Sequence, residues 1–374
     1  MLISPPNILE GNIKKKSSFD NRTTPLDLAI IGAVLEKKHK VKILDALALE
    51  LNKKQILDEI NKFNPELVLL TAFDRCRWGI DSANELSKCI KKKKLGLILS
   101  YKPELMIQLM KNNKNILFSV YGDPEFTILD LADKKPFYKI KGLIYKKGNK
   151  IIKNKPRDLI KNLDILPFPE RHLLNLRVYK RLQHELIKEP NFDMLVSRGC
   201  PYNCIFCSPN IVGGKIRRTR SPKKAVEEMK YLKKIGAKQI HFQDLIFTLD
   251  RNWIVEFCNI LIKENLGLIW TCQTRVDRVD YEILKLMKKA GCRSILYGVE
   301  SLEQGALDKI KKGVKTSSIK EAILMTKKAG IEARCSMMIG LPGENRESVL
   351  RTVELLNKLN PTFVQFHTTI AFPG

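Results

Sequence analysis

Ser197-Arg198-Gly199-Cys200-Pro201-Tyr202-Asn203-Cys204-Ile205-Phe206-Cys207 carries three cysteines at the spacing C-x3-C-x2-C. The apolar run before it, Met194-Leu195-Val196, reads as the end of a strand. Gly199 and Pro201 break regular structure, which puts the cysteines on a loop. Short spacings let the thiolates of one loop converge on one small object. Soft sulfur ligands favour an iron–sulfur cluster, zinc or Cu(I). A structural zinc site takes four ligands, usually as two separated pairs. This chain has no second C-x2-C and no His-x3-5-His. Three thiolates on a four-iron cube leave one iron open to another ligand. A zinc knuckle or a set of buried thiols is the alternative.

The spacing, together with the aromatic Phe206 before the third cysteine, resembles the signature of the radical S-adenosylmethionine (SAM) superfamily. The resemblance implies that Cys200, Cys204 and Cys207 hold a [4Fe-4S] cluster and that the amino and carboxylate groups of SAM chelate the open iron. It also implies that the reduced cluster cleaves SAM to methionine and a 5′-deoxyadenosyl radical. The electron would come from a donor such as flavodoxin or ferredoxin.

Downstream of the loop the β/α rhythm is regular. Strands are expected at 239–243, 268–273, 294–299, 333–339 and 363–370, after a first that ends at Ser197. Helices are expected at about 222–235, 251–264, 279–290, 303–311, 317–329 and 345–359. Ser221 and Asp250 read as N-caps, Pro222 as a first helical residue and Gly236 as a stop. Six β/α units predict an open, partial (β/α)6 barrel, the architecture that the resemblance also implies. In such barrels chemistry sits at the carboxyl ends of the strands.

Further motifs fall at those ends. Gln243-Asp244 within Phe242–Phe247 looks like the family's Asp-Asp-x-Phe segment, near the SAM amino group. Thr274-Arg275-Val276-Asp277 is similar to its Arg-x-Asp, and Arg275 is expected to meet the SAM carboxylate, a substrate anion or a neighbouring acid. Gly298-Val299-Glu300-Ser301 matches its Gly-Val-Glu-Ser, with Glu300 and Ser301 placed for ribose hydroxyls or the SAM ammonium. Gly340-Leu341-Pro342-Gly343-Glu344 matches its Gly-x-Pro-Gly-Glu turn, whose glycines Gly340 and Gly343 let backbone lie against adenine. Turn, cap and buried structural roles are the plain alternatives for the acids.

Before the loop, short strands at 2–3, 41–44, 67–70, 95–99 and 115–120 alternate with amphipathic helices near 25–38, 53–63, 80–93 and 103–112. This predicts a doubly wound α/β domain with a parallel, flavodoxin-like sheet over residues 1–136. Pro5-Pro6-Asn7, Pro25-Leu26-Asp27-Leu28-Ala29, Val41 to Asp45 and Gly122-Asp123-Pro124-Glu125 resemble the cobalamin-binding domain that precedes many radical SAM domains. That resemblance implies a cobalamin cofactor. Ser100-Tyr101-Lys102-Pro103 stands where the family often has Gly-Gly, and no Asp-x-His-x-x-Gly motif occurs. Residues 137–190 read as a hairpin with a Lys-Gly-Asn turn and a linker, Leu166-Pro167-Phe168-Pro169. His172 and His184 in that stretch are expected at the surface or in packing. The barrel takes residues 191–374, and the ending Phe372-Pro373-Gly374 suggests a missing C-terminal region.

The chain has 374 residues and a formal charge of +27. Its lysines are scattered along helices, Lys285/Lys288/Lys289 and Lys311/Lys312 among them, which favours a solvated surface over a nucleic-acid-binding arm. The remaining cysteines, Cys76, Cys89, Cys258, Cys272, Cys292 and Cys335, are isolated and read as reduced core thiols of a cytoplasmic protein. No apolar run is long enough to span a membrane. The reading is a radical SAM enzyme acting on an unactivated carbon of an organic substrate, by cobalamin-dependent C-methylation. Radical cyclisation, tRNA methylthiolation and a non-enzymatic iron–sulfur or zinc module are its rivals.

Overall fold

The computed structural model describes residues 1–6, 23–71, 78–98, 103–179, 186–207 and 213–370. The first third alternates β1 (Leu2–Ser4), α1 (Leu26–Leu35), β2 (Ile43–Asp45), α2 (Lys53–Phe63), β3 (Leu67–Thr71), α3 (Trp78–Ser87), β4 (Lys94–Ile98), α4 (Pro103–Asn112), β5 (Phe118–Val120) and α5 (Glu125–Ala132). β1 to β5 pair parallel in the order β2-β1-β3-β4-β5. The order reverses around β1, so a crevice opens beyond the carboxyl ends of β1 and β3, where doubly wound sheets bind ligands.

Local signals set the element ends. Asn52 and Gln55 form a reciprocal capping box at the start of α2. The helix ends at Asn64, which is left-handed and precedes Pro65, a residue that cannot extend it. α1 departs from the expected amphipathic pattern. Every residue from Leu26 to Leu35 except Asp27 is buried, because α1 is wedged between the sheet, α5 and the linker. α5 was not legible from periodicity.

The hairpin β6 (Leu143–Lys147) and β7 (Lys150–Lys153) is no free-standing bridge. β6 pairs antiparallel with β5, Phe118 opposite Tyr145, and together with β7 it makes the sheet seven-stranded. Leu143, Ile144 and Tyr145 are buried there, which covers what would otherwise be an open edge. Residues 163–178 then form three short 3-10 turns.

The second sheet runs through β8 (Asn191–Met194), a two-residue strand β9 (Ser197–Arg198) paired with β10 (Arg218–Thr219), α6 (Pro222–Lys234), β11 (Gln239–Phe242), α7 (Arg251–Glu264), β12 (Ile269–Thr274), α8 (Tyr281–Lys289), β13 (Cys292–Glu300), α9 (Gln304–Lys309), α10 (Thr316–Lys328), β14 (Glu332–Ile339), α11 (Arg346–Leu359) and β15 (Phe363–Thr368). Its six long strands are all parallel, in the order β8-β11-β12-β13-β14-β15. Among the described residues nothing joins β15 back to β8, so the barrel is partial and open, as expected. The caps fall where they were read: Ser221 accepts from the Lys224 amide and Asp250 from the Trp253 amide. Cys258, Cys272, Cys292 and Cys335 are buried in this core and Cys89 is half-buried. Cys76 and His184 lie outside the described residues, as do Ser100, Tyr101 and Lys102.

The two sheets turn their carboxyl ends toward each other. Thr24, on the path from β1 to α1, donates its amide to Asp193 Oδ2 at 2.9 Å and accepts from Gln243 Nε2 at 3.4 Å. Asp123, just past β5, meets Arg198 and Arg218. Behind this junction the linker residue Arg171 is 2% exposed and donates to the Asp193 carbonyl at 2.8 Å and to Glu228 Oε1 at 2.7 Å. Removing one member of a buried ion pair leaves the other charge without compensation. Glu228→Ala is expected to cost about 3–5 kcal/mol in a urea titration of the full chain. A loss under about 1 kcal/mol would show that Arg171 reaches water by another route.

Candidate active site

The cysteine loop leaves β9 through a backbone contact that tolerates no side chain. Gly199 has φ +86°, and a Cβ there would lie 2.2 Å from the Ile216 carbonyl oxygen. A Cβ on Gly213 would lie 2.6 Å from the Gly199 nitrogen. Glycine against glycine lets the two sides of the loop base touch. The Cys200 amide then donates to the Gly214 carbonyl at 3.0 Å, and the Ile205 amide to the Ile310 carbonyl, at the end of α9, at 3.1 Å. A tight turn brings the Cys207 amide 3.2 Å from the Cys204 carbonyl.

So held, the three cysteines line one pocket of about 370 Å³ at the carboxyl ends of the barrel strands, with Tyr202 and Phe206 beside them. Arg275, Gly298, Glu300, Ser336 and His367 come from the ends of four strands, and Lys312 from the segment after α9. Cys200 is buried, Cys204 half-buried and Cys207 exposed as a residue. Burial and then the like charges of Cys204 and Cys200 push the Cys207 thiol up to about 12, against the pull of Lys312. Burial likewise raises Cys204, with Lys312 and Arg275 opposing. Cys204 and Cys207 therefore need a cationic centre to lose their protons, as thiolate metal sites do.

The spacing of the sulfurs speaks to which centre. Four thiolates around one zinc sit about 3.8 Å apart, from 2.3 Å bonds at tetrahedral angles. Among the described residues, the group whose ligand atoms all lie within 4.8 Å of one another is Glu36, Glu170 and His172, not the three cysteines. A cluster with one iron per thiolate takes donors farther apart. Three soft thiols on one loop, with no fourth protein ligand in the set, suit an iron–sulfur cluster with one open iron. The Glu36/Glu170/His172 group is itself a surface cluster, with the His172 ring bonded to both carboxylates at 2.8 and 3.0 Å.

Charged groups ring the pocket in pairs. Glu300 is left-handed at φ +68°, where the pairing of β13 with β14 slips by a residue. Its carboxylate turns back over Gly298, where a Cβ would lie 2.8 Å from Oε1. It accepts from Lys312 Nζ at 2.8 Å. Such a backbone outlier marks a place where structure is spent on a site. Lys312 is 5% exposed, so the reading of Lys311/Lys312 as a solvated pair is corrected. Its Nζ sits 5.5 Å from the centre of the Phe206 ring. Nothing in the Lys311-Lys312-Gly313 sequence distinguishes this lysine from its exposed neighbour. Arg275 bonds Asp277 through Nε at 2.8 Å and through Nη2 at 3.2 Å, donates to the Lys312 carbonyl at 2.9 Å, and points Nη1 at Cys204 Sγ, 3.9 Å away. Its guanidinium lies 3.7 Å from the centre of the Tyr202 ring.

Other expected site residues lie elsewhere. Asp244 is fully buried beneath the loop and does not line the pocket; it accepts from Ser197 Oγ and from the Val196 amide at 3.2 Å. It ties the end of β11 to the strand that leads into the cysteines. Gln243 faces Thr24 at the domain junction. Ser301 is buried and donates to Glu344 Oε1 at 3.1 Å. Glu344 also accepts from the Gly340 amide at 3.1 Å, closing the turn in which Gly340 and Gly343 both take positive φ. These residues shape the turn after β14 without lining the pocket.

Residues 194–356 match the Radical SAM superfamily. Across its whole length the chain is 32% identical, over 383 residues and 81% of the other chain, to a protein of Pyrococcus horikoshii described as an uncharacterized methyltransferase. The chain belongs to the radical SAM superfamily. It is an enzyme of that superfamily, whose members use SAM. It is also 27% identical over 343 residues to the anaerobic magnesium-protoporphyrin IX monomethyl ester cyclase of Rubrivivax gelatinosus, covering 88% of this chain and 61% of that one. The fold is similar to that of the radical SAM methyltransferase TsrM of Kitasatospora setae, solved with cobalamin and a [4Fe-4S] cluster, with a TM-score of 0.78 at 17% identity over 98% of this chain and 71% of that one. Among the described residues no helix is long and apolar enough to cross a membrane.

Two measurements check the geometry of this radical SAM site. Gly199→Ala meets the Ile216 carbonyl, and its left-handed backbone alone costs about 1–2 kcal/mol. The variant is expected to fold but to retain little of the iron that the parent takes up in anaerobic reconstitution; parental iron content would refute the contact. Burial raises the Asp244 carboxyl from 3.8 to about 6, against its hydrogen bonds from Ser197 and Val196. A carboxyl whose folded-state pKa lies above its unfolded one contributes stability at low pH that is lost as pH rises through the folded value. Relative to Asp244→Asn, the parent should lose on the order of 3 kcal/mol between about pH 4 and pH 6 and stay level above. Parallel stability curves for the two proteins would contradict this.

Proposed function

We propose that the chain is a cobalamin-dependent radical SAM methyltransferase that methylates an unactivated carbon of an organic substrate. Cys200, Cys204 and Cys207 would hold a [4Fe-4S] cluster, and the pocket beside them would take SAM. When bound, the cluster and SAM supply a hydrogen-abstracting 5′-deoxyadenosyl radical, and cobalamin supplies the methyl group. The observation that carries the reading is the facing of two carboxyl ends. Thr24, just before α1, bonds Asp193 and Gln243, and Asp123, just past β5, bonds Arg198 and Arg218, so the end of the first sheet where doubly wound domains bind cofactors abuts the strands that lead into the cysteine loop.

The protein's own part is binding, orientation and exclusion of water. Phe206 and Tyr202 give the pocket apolar walls. The Lys312–Glu300 pair offers an ammonium and a carboxylate to a zwitterionic ligand such as the amino-acid end of SAM. Arg275 places a fixed positive charge against Cys204, where a cluster sulfur ligand would carry negative charge. A low-potential donor such as flavodoxin or ferredoxin would supply the electron. The name of the Pyrococcus relative supports methyl transfer, and that of the Rubrivivax relative favours ring closure as the second reading.

The test is anaerobic. The reconstituted chain with SAM and dithionite is expected to release 5′-deoxyadenosine, and Cys204→Ala to release none. Hydroxocobalamin should survive desalting with its absorbance. A loaded cluster that yields no 5′-deoxyadenosine would remove the radical reading. Loss of corrin absorbance with 5′-deoxyadenosine retained would turn the reading to radical ring closure.

A further inference from the structure

The loop that carries the cysteines is closed at its base by two strands of two residues each, and the closure sets one arginine against another. β9 and β10 pair antiparallel with Arg198 directly opposite Arg218. Like charges in that relation destabilise a strand pair. Here both are also withdrawn from water, since Arg218 is 4% exposed and the Arg198 side chain 11%. Ser197 against Thr219 is the other half of the pairing, and backbone bonds from Arg220 to Val196 and from Cys200 to Gly214 flank it, so a short ladder has to carry two facing cations.

The compensation comes from the other domain. Glu125, fully buried at the start of α5, accepts from both terminal nitrogens of Arg198, with Nη1 3.2 Å from Oε2. Asp123 is shared. It accepts from Arg198 Nη1 at 3.3 Å and from both terminal nitrogens of Arg218, with Nη2 at 3.2 Å, and its Oδ2 also takes the Ile160 amide at 2.8 Å. Arg218 also donates from Nη1 to the Ile160 carbonyl at 3.0 Å and from Nη2 to the Gly213 carbonyl at 2.9 Å, while its buried Nε has no hydrogen-bond partner among the described residues. Gly213 is the residue that packs on Gly199. Asp27 of α1 adds a further negative charge around Arg198. A continuous set of buried contacts thus runs from the turn after β5 to the residue before Cys200.

We propose that Asp123 and Glu125 are positioning residues for the cysteine loop: by neutralising the cross-strand arginine pair, they make the arrangement of Cys200, Cys204 and Cys207 depend on the docked N-terminal domain. The consequence for the cluster rests on the function proposed above; the geometry concerns the protein alone. A chain whose first domain is undocked would leave two guanidiniums face to face at the base of the loop without their carboxylates and would hold a cluster poorly. Cluster retention and the cofactor-binding domain are coupled through charge, with no shared ligand.

The experiment uses the full chain with Glu125→Gln, Arg198→Gln, the double variant, and Glu228→Gln as a variant of a buried ion pair, Arg171–Glu228, that makes no side-chain hydrogen bond to the loop. In the metal-free protein, amide hydrogen exchange is read in peptides spanning residues 196–207. Each single loop variant is expected to speed exchange there by about tenfold. The double variant, which removes one charge of each sign, should lie closer to the parent than the product of the singles. Glu228→Gln should lower the melting temperature without that local change. After anaerobic reconstitution, Glu125→Gln should lose iron to a chelator about tenfold faster than the parent, with shifted electron paramagnetic resonance g-values of the reduced cluster. The proposal is overturned if the singles multiply, or if loop exchange follows global stability alike in Glu125→Gln and Glu228→Gln. A parent that takes no cluster but shows the exchange coupling supports the positioning and removes the cluster assignment. A loaded parent matched by Glu125→Gln in iron retention and g-values removes the positioning and leaves the cluster assignment standing.

Discussion

Backbone lying directly on backbone at Gly199 and Gly213 is the constraint from which the pocket follows. A side chain at either position would part the two sides of the loop base by the width of a methyl group. The cysteines would then swing away from the strand ends that supply Arg275 and Glu300. Close approach of this kind is held only if the surrounding structure pushes the two segments together. The push comes from the paired strands β9 and β10 and from the carboxylates that quench their arginines. Asp244 adds a tie from β11 to Ser197 and Val196. A loop with no regular structure of its own is thereby fixed from several sides, and a rigid frame is what convergent ligands need.

The second organising fact is the direction of the two sheets. Parallel strands present their variable loops at one end, and a chain with two such sheets can use both only if those ends face each other. Contacts between Thr24 and Asp193, and between Asp123 and Arg218, hold that relation. They involve residues 169 and 95 positions apart. A linker with prolines and short 3-10 turns carries the chain around the back, where the buried Arg171–Glu228 pair anchors it.

Legibility in the sequence followed the range of the interaction. The barrel's strands and helices, and the caps Ser221 and Asp250, were readable because periodicity and capping act within a few residues. The cysteine spacing was readable for the same reason. The role of β6 and β7 was not, since a hairpin reads alike whether it stands free or adds to a sheet. Asp244 shows the limit of motif placement: an acid at a strand end can face a pocket or the strand beneath it, and a two-residue period does not decide which. Lys312 shows it more sharply. Its sequence surroundings match those of exposed Lys311, and only the fold brings Glu300 and Phe206 to it.

That pairing matters for the balance of charge in the pocket. Burial first, and the neighbouring cysteines after it, make the Cys204 and Cys207 thiols resist losing their protons without a metal. Lys312 and Arg275 supply two fixed positive charges on their flank, but neither is a bare cation. Glu300 holds Lys312, and Asp277 holds Arg275. Each positive charge is thus stationed with its counter-ion, so the metal-free pocket need not bury an uncompensated ammonium or guanidinium. A ligand that brings its own ammonium and carboxylate can exchange partners with such pairs without leaving any charge alone. A singly charged ligand of either sign cannot, and this favours zwitterions at the mouth of the three-cysteine loop.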